Sequence, residues 1–158
     1  MSQAITTSLL IIASIVAALA LINSVIPAMG RSASALATAN SATADRIRTD
    51  IEIIHATGDD SNDVITVWVK NVGTKEIVPI SSSDIILTTP TTVVSLPYVS
   101  GCTSGQSPCW DYVLEGGASN WSRAVTVRFT LETAVTTGVY TVRVSSPNAA
   151  SDTEDFSV

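Results

Sequence analysis

"AITTSLLIIASIVAALALINSVIPAMGRSASA", residues 4–35, decides how the chain is read, because no charged side chain occurs in it before Arg31. Its apolar core, Leu9 to Ile22, and the Ala33-Ser34-Ala35 that follows have the outline of a secretion signal, yet no Lys or Arg precedes the core. The stretch is also long enough for a membrane anchor, which takes about 20 apolar residues. Neither outline accounts for what comes next. "SASALATANSATADRIRTDIEII", from Ser32, stays rich in alanine, the best helix former, and no Gly or Pro follows Gly30 until Gly58. A helix to about residue 50 is predicted, roughly 75 Å long at about 1.5 Å per residue. That exceeds a hydrocarbon core about 30 Å thick.

Small residues recur along this helix at a spacing of four, as in Ala13/Ala17, Ser14/Ala18 and Ala33/Ala37, and such pairs let helix backbones approach closely. Aromatic residues are absent from residues 1–67, so the segment lacks an interfacial Trp/Tyr belt. The pattern favours a rod buried among identical rods over a simple anchor. Ile5, Leu9, Ile12, Ala13, Val16, Ala17, Leu19 and Ala20 are its expected bundling residues. Pro27 removes one helical hydrogen bond, and Gly30 lies near it, so a kink or short unwound patch is expected between residues 23 and 30.

The net charge of −6 lies wholly in the second part of the chain, since Arg31, Arg46 and Arg48 balance Asp45, Asp50 and Glu52 before it. An acidic domain without a Lys/Arg patch repels phosphate backbones, which argues against nucleic-acid binding. Cys102 and Cys109 flank "TSGQSP", whose turn residues allow the two sulfurs to meet. A metal site needs more ligands than this, and His55 is far away in sequence. A disulfide in an oxidising compartment is the favoured reading; two free thiols are the alternative.

From Asp50 the period of the sequence changes to two. "DIEIIHA" places Ile51 and Ile53 on one face, and "DVITVWVKNVG" does the same with Ile65, Val67 and Val69. "RAVTVRFTLE" alternates Val125, Val127, Phe129 and Leu131 against polar residues, and "GVYTVRVSS" alternates Tyr140, Val142 and Val144. "DIILTT", "TTVVSLPYV", "CWDYVL" and "EDFSV" are further strand candidates. The fold class expected is α+β. A long hydrophobic α-helix, residues 1–50, precedes an antiparallel immunoglobulin-like β-sandwich, residues 51–158, in which Tyr140 packs at a strand corner.

No arrangement of nucleophile and base, phosphate loop or zinc spacing occurs, so neither catalysis nor a small-molecule substrate, cofactor or metal is expected. "GDDSND", with Asp59, Asp60 and Asp63, offers oxygen ligands that could hold Ca²⁺, but a solvated turn suits it better, since the glycine and distal glutamate of an EF-hand are lacking. Asn120-Trp121-Ser122 is the chain's single N-x-S/T sequon, a possible glycosylation site in a host with the machinery. The Trp110, Tyr112 and Trp121 cluster leaves an adhesive or carbohydrate-binding surface open as a third role.

An apolar rod feeding a β-sandwich resembles the archaellins, the type IV pilin-like subunits of the archaeal swimming filament. The likeness lies in "AITTSLLIIASIVAALAL" and in "DRIRTDIEIIHATG…VITVWVKNVGTKEI", and the second stretch is similar also to archaellum accessory proteins, which share the fold. The resemblance implies a chain held in the membrane before assembly, then a homo-oligomeric helical filament on the cell surface, serving motility, with adhesion left open as a further role. The accessory alternative implies a stator-like envelope protein that binds a partner through its sandwich. Three features depart from the archaellin pattern. No basic leader precedes the apolar stretch, Ile5 stands where most type IV pilins carry glutamate, and Pro27 and Gly30 interrupt the rod.

Overall fold

The computed structural model describes residues 2–103 and 108–158. The fold is α+β: one long N-terminal helix, then eight strands in two antiparallel sheets of four that form a β-sandwich. The chain falls into two compact units, Met1–Thr43 and Ala44–Val158, so the last turn of the helix belongs with the strands.

Helix α1, Ser2–Arg48, runs for 47 residues with Pro27 inside it. The unwound patch expected between residues 23 and 30 is absent. Proline lacks one N–H, so a single i to i−4 bond is lost there, and the helix continues through it on both sides. Serines and threonines on α1 do not compete with the helix from outside it. Ser14, Ser24 and Ser34 donate to carbonyls three residues back, and Thr38 and Thr43 to carbonyls four back.

The first sheet has the order β1-β2-β6-β5, from Ile51–Asp59, Val64–Asn71, Thr126–Glu132 and Cys109–Leu114. The second has the order β4-β3-β7-β8, from Val93–Leu96, Asp84–Thr88, Val139–Ser145 and Ser151–Ser157. Alternation makes the sandwich. Ile65, Val67 and Val69 of β2, Val127, Phe129 and Leu131 of β6, and Val142 and Val144 of β7 are all fully buried. Trp110, Trp121 and Phe129 fill the centre, with Phe129 meeting each indole edge-on at 5.5 and 5.8 Å. Trp110 Nε1 donates to the Leu96 carbonyl at 2.9 Å, which satisfies the buried indole and links β5 to β4 of the other sheet.

Two polar devices fix the strand ends. Tyr140 is buried at the start of β7, and its Oη donates to the Thr136 carbonyl and accepts from the Thr136 amide, both at 2.9 Å. A bulge in β1 shifts register between Ile53 and His55. The Ile53 amide donates instead to Asp152 Oδ2 of β8 at 2.7 Å, which fastens one sheet edge to the other.

Candidate functional site: the apolar helix and the cap at its end

Every described side chain from Gln3 to Ala44 is exposed, and these include Leu10, Ile11, Ile15, Leu21, Ile22 and Ile26. The eight residues expected to bundle, Ile5, Leu9, Ile12, Ala13, Val16, Ala17, Leu19 and Ala20, fall within one arc of roughly 160° at 3.6 residues per turn. Other large apolar side chains occupy the rest of the circumference, so the helix has no polar side over this length. A helix apolar all round requires lipid or other helices all round.

The character changes at Arg31. Between there and Arg48 the large apolar side chains are Leu36 and Ile47, while Ser34, Thr38, Asn40, Thr43, Arg46 and Arg48 are spread around every side. The uncharged, mostly apolar part, Leu9 to Ile26, whose polar residues are Ser14, Asn23 and Ser24, rises roughly 27 Å.

The helix ends in a cap built by the turn after β2. The Arg48 carbonyl accepts from the amides of Thr74 at 2.8 Å and Lys75 at 3.1 Å, and the Asp50 carbonyl from those of Val72 and Gly73, both at 3.0 Å. The two bonds to Arg48 satisfy an acceptor that the helix end leaves open, and the two to Asp50 hold the segment that follows it. Asn71, fully buried, holds the turn: its Nδ2 donates to the carbonyls of Lys75 at 2.8 Å and Trp121 at 3.0 Å. Gly73 permits the approach, since a Cβ there would lie 2.5 Å from both Arg48 O and Asp50 N. Thr49 Oγ1 donates to the Asp45 carbonyl and accepts from Asn148 Nδ2, and Lys75 pairs with Asp45 at 3.0 Å on the surface. This exposed pair adds about 0–1 kcal/mol.

Cys102 and Cys109 are joined, with Cα atoms 6.1 Å apart; the tip of their loop, residues 104–107, lies outside the described residues. Asp59 holds the β1–β2 turn by accepting from Ser61 and Asn62, which lower its carboxyl below the usual range, the Asn62 side chain most. Asp63 accepts from the Val135 amide at 2.9 Å. Asp59 and Asp63, weighed above as calcium ligands, thus serve the turn and its neighbour. Among the described residues no group of three or more His, Cys, Asp and Glu could hold a metal. His55 stacks on Trp68 at 5.4 Å on the outer face of the first sheet. Asn120 is exposed beside buried Trp121. The cap was not foreseen; its signal is the Asn71-x-Gly73 that ends β2.

A family model described as archaeal-type flagellin matches residues 2–156. An uncharacterized protein of Archaeoglobus fulgidus is 30% identical over 136 residues, covering 82% of this chain and 80% of that one. Two solved structures from Sulfolobus acidocaldarius share the fold. The archaellum periplasmic stator protein FlaG has a TM-score of 0.55 at 20% identity, over 68% of this chain and 99% of its own. A chain from the archaellum periplasmic stator complex of FlaF and FlaG has a TM-score of 0.56 at 19% identity, over 68% and 89%.

Proposed function

This chain belongs to the archaeal-type flagellin family, and from that premise we propose that, within an archaellum-related role, it is a membrane-anchored, stator-like accessory. The apolar part of α1 spans the membrane, and the β-sandwich stands outside the cytoplasm and binds another archaellum protein. The observation that carries this reading is the division of α1 at Arg31. Leu9 to Ile26 matches a hydrocarbon core about 30 Å thick, and Ser2 to Gly30 rises roughly 43 Å, close to the full bilayer with its headgroups. The turns beyond Arg31, polar on every side, suit a stalk in water; a rod bundled along its whole length would have to desolvate them. The fold likeness to FlaG, a periplasmic stator protein, and to a FlaF–FlaG complex supports the role of the sandwich. An acidic, disulfide-linked domain fits an oxidising exterior.

A second reading, a homo-oligomeric filament subunit bundled through Ile5 to Ala20, is favoured by the family model's match to helix and sandwich together and by the Ala13/Ala17 spacing. Neither reading requires catalysis or a cofactor. Shearing cells and counting copies by mass spectrometry separates the two. An accessory stays with the membrane at low copy number, whereas a filament subunit dominates the sheared fibres.

A further inference from the structure

We propose that the joint between α1 and the sandwich is a rigid clamp that passes force from the sandwich to the membrane helix; the inference rests on the stator-like reading above. A protein that only had to keep its sandwich near the membrane could hang it on a slack linker. This chain has none. Only Thr49 and Asp50 separate Arg48, the end of α1, from Ile51, the start of β1, and Thr49 is buried.

Both sheets grip this short passage. The turn after β2, from the first sheet, holds it by the four bonds to the Arg48 and Asp50 carbonyls, and Lys75 of that turn pairs with Asp45. The β7–β8 hairpin, from the second sheet, adds a separate hold. Asn148 Nδ2 donates to Thr49 Oγ1 at 3.0 Å, and that hydroxyl donates to the Asp45 carbonyl at 2.8 Å. A helix end held by one sheet could swing about that contact, whereas tilting or turning this one breaks bonds to both. The bond from the Ile53 amide to Asp152 of β8 continues the arrangement into β1.

The turns that make the grip are themselves held in shapes that alanine resists. Among the described residues, three that are not glycine have left-handed backbone angles, and two of them serve this joint. Ala124, at φ 67°, donates from its amide to the carbonyl of Asn71, the residue that holds the capping turn, at 2.8 Å. Ala149, at φ 63°, follows Asn148 in a turn closed by the Ser146 amide donating to the Ala150 carbonyl at 2.7 Å. Such angles strain a residue that has a Cβ, and they persist where the surrounding structure over-determines them. A loose tether has no use for turns so specified; a joint that keeps one shape under force does.

Two measurements test the clamp. Spin labels on Ile47→Cys and Val139→Cys, both exposed positions, report the distance from the last turn of α1 to the sandwich in the full chain in detergent micelles. Double electron–electron resonance should give one narrow distance distribution, broadened by Asn148→Ala, which removes the second sheet's hold and leaves the capping turn intact. A broad distribution before that change, or no broadening after it, overturns the clamp. The second measurement is swimming of the native cells with inserts between Thr43 and Ala44, which leave the joint whole. Seven alanines lengthen the helix by about two turns, while seven Gly/Ser residues add a slack tether of roughly 15 Å. With equal amounts of chain in the membrane, the alanine strain should swim like the parent and the Gly/Ser strain should lose its swimming. Equal swimming of the two strains, at any speed, overturns the passage of force and leaves the proposed role standing. A strain lacking the whole protein that swims like the parent overturns both.

Discussion

Gly73→Ala is a small change with a large expected effect, because the added methyl meets backbone on two sides. Its Cβ would lie 2.5 Å from Arg48 O, 2.5 Å from Asp50 N and 3.2 Å from the Thr49 carbonyl carbon. Ordinary contacts of this kind lie at about 3.5 Å, so the turn must retreat by roughly 1 Å. Those same segments are joined by four hydrogen bonds of 2.8–3.1 Å, donated by Val72, Gly73, Thr74 and Lys75. A retreat of that size carries most of them past bonding distance. At about 1 kcal/mol per bond, and with an added penalty for any acceptor left dry, the loss is about 2–4 kcal/mol. A domain of this size is stable by about 5–15 kcal/mol, so the midpoint of thermal unfolding should fall by on the order of 10 °C. Circular dichroism melting of an Ala44–Val158 fragment, which keeps the cap, reads this directly. A midpoint within about 2 °C of the parent would refute the steric account of the cap.

Tyr140→Phe removes both bonds to Thr136 without changing shape, so the same melt should show a loss of about 1–3 kcal/mol. Burial first, and the Asp63 charge second, hold the Glu132 carboxyl above its usual range. The ionised form therefore costs the folded state, and that cost appears as pH rises through the raised value. Glu132→Gln should raise the melting midpoint near neutral pH, and the gain should vanish well below the carboxylate range; an equal gain at both ends would exclude ionisation as the cause. Ala17→Asp places a carboxylate inside the apolar part of α1 at a cost of about 3 kcal/mol, and membrane fractionation should show less anchored chain. Alkylation of the native protein without reductant should leave Cys102 and Cys109 unmodified, and labelling of both would remove the main support for an oxidising location.

The strands were legible because burial alternates strictly. Ile65/Val67/Val69 and Val127/Phe129/Leu131 face the core in the phase their spacing sets, and the fainter "DIILTT", "CWDYVL" and "EDFSV" also form strands. The β1 bulge was not legible, since its partner Asp152 lies 99 residues on and "EIIHA" carries no glycine to mark it. Likewise, Gly73 reads in sequence as an ordinary turn glycine; what requires it is the Arg48–Asp50 backbone, whose approach depends on tertiary structure. At Pro27 the sequence left a kink and an unwound patch both open, and the structure keeps the helix continuous through it. Tyr140 was expected at a strand corner, and the structure adds the Thr136 bonds that a spacing alone does not reveal.

The claim at the centre of this account is that α1 changes environment at Arg31, from lipid to water. Single cysteines at Ala13, Ala20, Ser34 and Thr43 test it in intact cells with a membrane-impermeant maleimide, since the native pair Cys102–Cys109 is disulfide-linked. The account predicts rapid labelling of Ser34→Cys and Thr43→Cys and none of Ala13→Cys or Ala20→Cys. Protection at all four positions, as in a helix packed along its whole length inside a filament, would contradict it.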